Sequence, residues 1–415
     1  MVSTGRLRTG LAAMALPVAL AACAGPAPAS PGSDAAQVAA APSPTPPAAT
    51  ATPSPSSTPT STPTPVPKSS RGTPGPGEGM LTVLTFRGYA EYGGSDPDVN
   101  WVKPFEQSTG CRVNLRFPQS GDQMDKLLAQ TAFDVVAAPP EVTGRLIDER
   151  KVVPLTTSLI SGYDAIPRWL RTQRSVTAGG KVYGVPFLWG SYVTLYDSGG
   201  ARPAKGDAIY SDRGPVTVRN SPMSIADAAL ALKGRRPKLG VKDPFELTPA
   251  QLDAAMALLT ERQGERVYWR EPIEALQGLA GSTVRLGRAL PYQLDILRRA
   301  GRPVKAVPDE PTTGWVDSWM VSAQATAPNC AYKWLAWTAS AGTQRQAAAW
   351  NGLAPANPAA CGGAAARVCA AYRVKDDKWL KKISFAVRPS KDCGGRHGEC
   401  TDYAEWATRW QQLVR

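Results

Sequence analysis

From Leu81 onward the chain alternates between two spacings of apolar residues. Leu81-Thr82-Val83-Leu84-Thr85-Phe86 is a β-rich run that stops at the turn-forming Arg87-Gly88-Tyr89. Trp101 to Ser108 has helical character and ends at Thr109-Gly110, a glycine suited to a helix C-terminus. Cys111 to Phe117 alternates apolar and polar residues with the two-residue period of a strand. Asp122 to Gln130 places Met124, Leu127 and Leu128 at helical spacing. Phe133-Asp134-Val135-Val136-Ala137-Ala138 is a buried strand running into Pro139-Pro140, and Glu141 to Glu149 is a short helix. This order predicts an α/β fold with a parallel sheet. Ligands of such sheets sit at the carboxyl ends of strands, so Phe86–Tyr89 and Ala138–Glu141 should share one edge of a cleft. Further on, Pro249 to Glu261 is an amphipathic helix with Thr248 as N-cap. Gly314 to Val321 reads as a strand, and Cys330 to Trp350 as one long helical stretch with Trp334 and Trp337 on one side.

The first 79 residues follow no such pattern. Arg6 and Arg8 precede an apolar stretch, Leu11 to Ala22, of the length of a secretory signal. It ends in Leu20-Ala21-Ala22-Cys23-Ala24, which resembles the bacterial lipoprotein cleavage box; the resemblance implies that Cys23 becomes a lipidated N-terminus. A diacylglyceryl group carries two chains, enough for stable anchoring. The 56 residues Ala24–Gly79 hold 15 of the 39 prolines and no aromatic residue. Such a composition cannot bury enough apolar surface to fold, and it predicts a semi-stiff tether reaching at most roughly 170 Å. The expected location is outside the cell, lipid-anchored to the outer face of the cell membrane.

Cysteine usage fits export. Beyond Cys23 there are six, an even number, which reads as disulfides. Short separations favour Cys361–Cys369 and Cys393–Cys400, which leaves Cys111–Cys330. Residues 80–415 carry 43 basic and 32 acidic side chains, a net charge of +11. The charges are scattered, without the basic stripe and interleaved aromatics that nucleic-acid binding requires, and no nucleic-acid partner is expected. One histidine, His397, excludes a three-His zinc site and leaves one candidate base for a serine triad. No G-x-S-x-G or H-E-x-x-H motif occurs. Neither an enzyme nor a bound metal or cofactor is expected.

Five segments, in order over roughly residues 81–361, carry a resemblance. Phe105-Glu106-Gln107-Ser108-Thr109-Gly110-Cys111-Arg112-Val113 resembles the "FE-x-x-TG-x-x-V" signature of the periplasmic binding protein-like type II fold, and Phe133-Asp134-Val135-Val136 its following "DVV" strand. Val185-Pro186-Phe187-Leu188-Trp189-Gly190, Gly314–Trp319 with Pro328–Tyr332, and Ala354-Pro355-Ala356-Asn357-Pro358 resemble passages of the spermidine/putrescine-binding proteins. The resemblance implies two α/β lobes joined by crossing strands, closing on a ligand in an interlobe cleft. Lobe one would comprise 80–185 and 318–415, lobe two 186–317, after a signal peptide at 1–22 and the lipidated Cys23 with its tether at 23–79. It further implies the substrate-binding lipoprotein of an ABC importer, a monomer that captures a small solute and delivers it to a membrane permease.

An aliphatic amine asks for aromatic rings along its stem and carboxylates at its ends. Carried over position by position, Phe86 and Tyr89 match the family's aromatic first loop, Trp189 the aromatic before its glycine, and Asp317 the carboxylate of the second crossing strand. Tyr292 falls where relatives place an aromatic–Gln pair; it reads equally as packing. Glu141, just after the third strand, is a second candidate carboxylate. Trp315 and Trp319 share the face of Asp317 and are core or site. The geometric expectation is that Phe86, Trp189 and Asp317 converge on one interlobe space. Two departures count against a polyamine. Relatives commonly have Trp at Phe86 and a small or polar residue at Arg87, and an arginine turned into the cleft would repel a polycation; the other reading of Arg87 is that it points to solvent. An anionic or neutral solute such as a carboxylate, phosphonate or sugar is the alternative ligand, and an exported two-carboxylate hydrolase the alternative function.

Overall fold

The computed structural model describes residues 72–118, 124, 127–129, 132–200, 203, 205–308, 310–394 and 397–415. The expected signal peptide, Cys23 and the tether up to residue 71 lie outside the described residues, as does most of the expected helix 122–130.

Two sheets organise the described chain. The first contains β1 (Met80–Leu84), β2 (Arg112–Arg116) and β3 (Val135–Ala138), with β1 parallel to both others. A small hairpin, β4 (Thr177–Ala178) and β5 (Lys181–Val182), precedes β6 (Gly184–Ser191). The second sheet has the order β11-β7-β10-β8-β9: β7 (Val193–Asp197), β8 (Val216–Arg219), β9 (Arg266–Trp269), β10 (Leu286–Ala289) and β11 (Val304–Ala306). The chain then returns to the first sheet through β12 (Thr312–Val321), β13 (Ala354–Pro355) and β14 (Ile383–Phe385), giving the order β13-β6-β12-β3-β1-β2 with β14 beside β12. β12 is antiparallel to both β3 and β6.

The sheets are therefore joined twice. Tyr192 alone links β6 to β7, and residues 307–311 link β11 to β12. Backbone bonds hold the two crossings side by side: Tyr192 N–H donates to Thr313 O at 3.1 Å and Val307 N–H to Thr194 O at 2.9 Å. Two α/β lobes joined by crossing strands is the type II binding-protein architecture that the sequence predicts.

Local chemistry explains the boundaries. The helix Val102–Thr109 ends at Gly110 in the left-handed conformation, φ 72°. The helix Pro249–Thr260 starts with a capping box, Thr248 Oγ1 accepting from Gln251 N–H while Gln251 Oε1 accepts from Thr248 N–H. The single helical stretch expected from Cys330 to Trp350 is two helices, Pro328–Ala339 and Ala341–Asn351. Ser340 between them is extended, and its hydroxyl caps the second by accepting from Thr343 N–H. A serine bonded to backbone competes with the helix it would otherwise continue.

The larger core is rich in aromatics. Rings meet edge-on in a chain from Tyr89 to Phe187, Trp319, Trp334 and Phe105, with centroids 5.0–5.6 Å apart. Trp319 is fully buried here. A second core lies on the second sheet, and the C-terminal helix Tyr403–Val414 packs into it through Trp406, Trp410 and Leu413. Trp410 Nε1 donates to Asn220 Oδ1 at 2.8 Å. The expected division, with all of 318–415 in lobe one, differs from this packing: the chain enters the second core again after β14.

The structure pairs Cys111–Cys330, Cys361–Cys369 and Cys393–Cys400, the pairing that the separations favour. The first bridge ties the strand after Gly110 to the start of the helix Pro328–Ala339. Glu78 completes that end by accepting from Asn329 N–H (2.8 Å) and Cys330 N–H (2.9 Å). The last residues of the expected tether are thereby bound to the first lobe.

Candidate functional site

Asp317 sits on β12, the strand that follows the second crossing, and pairs with β6, which leads into the first. The β6–β12 register jumps there, Asp317 facing Leu188 and Ser318 facing Pro186, so that Phe187 has no opposite residue. Such bulges re-aim side chains. The carboxylate is 5% exposed. Tyr89, from the loop after β1, donates its phenol O–H to Asp317 Oδ2. Trp315 Nε1 donates to the same oxygen at 3.1 Å. Among the described residues no donor reaches Oδ1. Burial pushes the carboxyl up to about 6, opposed by the bonds from Tyr89 and Trp315; Glu141 pushes it further up and Arg219 pulls it back. Burial and then Asp317 hold the Tyr89 phenol well above its ordinary value, which keeps it a donor.

Lobe two contributes Arg219 at the carboxyl end of β8. Its Nη1 donates to Tyr192 OH at 2.6 Å, and its guanidinium lies 5.9 Å from the Trp315 ring centroid. Burial works against its charge, but Tyr192, Glu141 and Asp317 outweigh that and hold it protonated. The Tyr192 and Trp315 rings lie 5.0 Å apart, and Trp269, at the end of β9, meets Tyr192 at 6.4 Å. Burial pushes the Tyr192 phenol up to about 12. Behind Tyr192, Arg288 lies over the same ring at 5.5 Å and is bound to Asp227 (2.5 Å) and Thr312 (2.9 Å). Glu141 opens the helix Pro140–Asp148 on lobe one, half-buried and within electrostatic reach of both Asp317 and Arg219. The junction thus gathers two carboxylates, one guanidinium and a wall of Tyr and Trp rings from both lobes. It can hold a small polar molecule by charge and ring stacking.

Residues 100–365 match the family described as bacterial extracellular solute-binding protein. The chain belongs to that family. Solved structures share the fold of this solute-binding protein at low identity. The spermidine/putrescine ABC transporter substrate-binding protein PotD of Streptococcus pneumoniae superposes with a TM-score of 0.62 at 16% identity, covering 81% of this chain and 99% of that one. A Treponema pallidum lipoprotein named TpPotD gives 0.59 at 13% identity over 80% and 99%. The binding protein MotA of Agrobacterium tumefaciens B6, solved with glucopine, gives 0.57 at 13% over 81% and 99%.

The solute-binding protein gathers some expected site residues and not others. Tyr89, Asp317 and Glu141 meet at the junction. Trp189 does not: it pairs with Val316, the neighbour of Asp317 along the strand, and so points to the opposite face of the sheet. There it is fully buried against Trp169, Tyr372 and Phe385, with Nε1 donating to Pro355 O at 3.1 Å. Phe86 also fails to converge. It keeps the strand's alternation past Leu84 and packs with Leu84, Met124, Phe133 and Met320 on the face away from Tyr89. Tyr292 lies against Gly352 of lobe one, where a Cβ would come within 2.7 Å of its ring, so it makes a contact between lobes. Arg87 is exposed, with its guanidinium 5.2 Å from the Phe117 ring centroid. Trp315, read from the sequence as core or site, is in the site.

Arg219 and Tyr192 were missed. The signal for Arg219 was present: it ends Val216-Thr217-Val218-Arg219, just before Asn220-Ser221-Pro222. Strand carboxyl ends face the cleft in lobe two as they do in lobe one. Tyr192 carries no motif; its role comes from being the whole connection between β6 and β7.

Proposed function

We propose that this chain is the capture component of an ABC importer, exported and lipid-anchored at Cys23, which takes a small amine-bearing solute between its lobes and hands it to a membrane permease. The observation that carries the ligand reading is the single unfilled acceptor of Asp317. Its Oδ2 receives Tyr89 and Trp315, while Oδ1 has no donor among the described residues. An ammonium group supplies that donor, and a charge-assisted bond of this kind contributes about 1.5–3 kcal/mol. Rings beside it add ~0.5–2 kcal/mol by cation–π attraction. Relatives of this fold are named for spermidine and putrescine, and another was solved with glucopine. The choice of an amine therefore rests on Asp317 and not on one neighbour. The lipoprotein-like Leu20–Cys23 segment and the Pro-rich stretch after it support anchoring at a distance from the membrane.

The test is a thermal-shift and calorimetric screen over amines, amino acids, sugars and phosphonates. A bound amine should raise the melting temperature of the wild type and leave Asp317→Ala unshifted. A solute whose shift survives Asp317→Ala would move the site elsewhere. Cys23→Ser should release the protein from membranes; retention there would refute the anchor.

A further inference from the structure

Two arginines flank Tyr192, and their engagement differs. Arg288 is buried and bound to Asp227, Thr312 and Thr194. Asp227 is held in turn by Thr313, so this arginine belongs to the frame that joins lobe two to the crossing strand. Arg219 is half-buried and uses Nη1 alone, toward Tyr192 OH. A guanidinium offers five N–H donors in a planar fork. Among the described residues Arg219 has no ion-pair partner, although Glu141 and Asp317 both act on its charge. Tyr192 and the face of Trp315 hold it in place, and among the described residues the rest of the fork has no partner, on the same junction as the open oxygen of Asp317.

We infer that Arg219 is the specificity-determining residue of the site and binds an anionic group of the ligand, so that the solute is a zwitterion, an amino acid or similar amino-carboxylate, and not a polyamine. The inference rests on the amine reading of Asp317 and extends it. One end of the ligand meets Asp317 on the crossing strand, and the other meets Arg219 on lobe two. A carboxylate can take two parallel N–H bonds from the fork, which an ammonium cannot. A diamine would instead set its second ammonium against a fixed positive charge. A ligand gripped by residues on opposite sides of the hinge also ties closure to having both groups present, since neither end alone joins Arg219 to Asp317.

The experiment is calorimetry on the purified protein with two matched series: ω-amino acids of three to six carbons, and α,ω-diamines of the same lengths. The amino acid of best length should bind at least about tenfold tighter than its diamine, given the strength of charge-assisted bonds. Arg219→Met should weaken that amino acid by about 10–100-fold and leave the diamine unchanged or tighter. Arg219→Lys, which keeps charge without the fork, should fall between. Unliganded melting curves of both variants check that the fold is kept. A diamine that binds the wild type as well as or better than its amino acid overturns the zwitterion and leaves the amine reading standing. So does an amino-acid affinity indifferent to Arg219→Met. Binding of simple carboxylates with no contribution from an amino group overturns both readings, and so does no binding by either series.

Discussion

Asp134, just before β3, and Asp317, on the neighbouring β12, are two buried aspartates, 3% and 5% exposed, and they do opposite things. Asp134 is saturated. Its Oδ1 accepts from Thr326 N–H (2.6 Å), Ala327 N–H (3.0 Å) and Thr326 Oγ1 (3.1 Å), and its Oδ2 from Thr82 N–H (2.8 Å). It ties β1 and β3 to the turn before the helix Pro328–Ala339. Asp317 has both its donors on one oxygen and a carboxyl that burial has pushed up to about 6. Buried polar groups are normally paired because leaving them unpaired is costly. Where one is left half-paired between two lobes, we propose that the missing partner is the ligand. The same contrast separates Arg288 from Arg219 in the second lobe. Function here is read from the valence left open, more than from the residue type.

Removing the saturated aspartate should give the largest effect. Asp134→Ala leaves the backbone N–H groups of Thr82, Thr326 and the buried Ala327 without their acceptor, at a cost of about 3–5 kcal/mol in unfolding free energy. Urea denaturation measures it. A loss below about 1 kcal/mol would show that the two aspartates do not differ as described. The Cys111–Cys330 bridge ranks next. Its partners lie 219 residues apart, and removing both sulfurs by Cys111→Ser with Cys330→Ser should cost about 2–5 kcal/mol. Solute affinity in that variant should be unchanged, because the bridge fastens the far end of the aromatic chain from Asp317. A loss of affinity without a loss of stability would reverse the expected roles.

Asp317→Asn should act in the other direction. A carboxyl whose value is raised in the fold binds more protons folded than unfolded between about pH 4 and 6. Stability from this group is therefore present below pH 4 and lost as pH rises through 6, by about 2–3 kcal/mol. The asparagine variant should lack that fall and melt higher than the unliganded wild type at pH 7.5. Amine affinity of the wild type should drop about tenfold per unit below pH 6, as the carboxyl that faces the ammonium is protonated. Unliganded melting curves that run parallel for the two proteins from pH 4 to 7.5 would disprove the raised carboxyl.

Much of the frame was legible in the sequence because it follows from local rules. The β-rich run at 81–86, the glycine stop at Gly110, the Thr248 cap and the three cysteine pairs each depend on spacing and residue type. The split at Ser340 was not legible, because a serine in a helix and a serine that caps one have the same sequence signature. The site was legible only in part. Asp317 stood out as an acid in an apolar strand, and the order of the motifs placed it on the second crossing. Trp189 was misplaced because its pairing with Val316, which decides its face, is a property of the strand register and not of the motif. Phe86 was misplaced for a related reason: continuing the strand's alternation by two residues carries it away from Tyr89. Arg219 was not legible because it belongs to no motif of the family resemblance; its only signal is its place at the carboxyl end of a short apolar strand.

The smallest expected effect bears most directly on how the open aspartate is tuned. Tyr89→Phe removes one of the two donors on Asp317 Oδ2 and keeps the ring, which packs edge-on against Phe187 at 5.6 Å. Packing is preserved, so the stability loss should stay within about 1 kcal/mol. The Tyr89 bond lowers the Asp317 carboxyl against the effect of burial. Without it burial has less opposition, and the pH below which amine affinity falls should move upward from that of the wild type. Tyr292→Phe is the control: Tyr292 meets lobe one at Gly352 and should leave the pH midpoint where it was. A midpoint that stays fixed in Tyr89→Phe would mean that Trp315 alone sets the acid, and the phenol would then belong with the packing residues and not with the ligand.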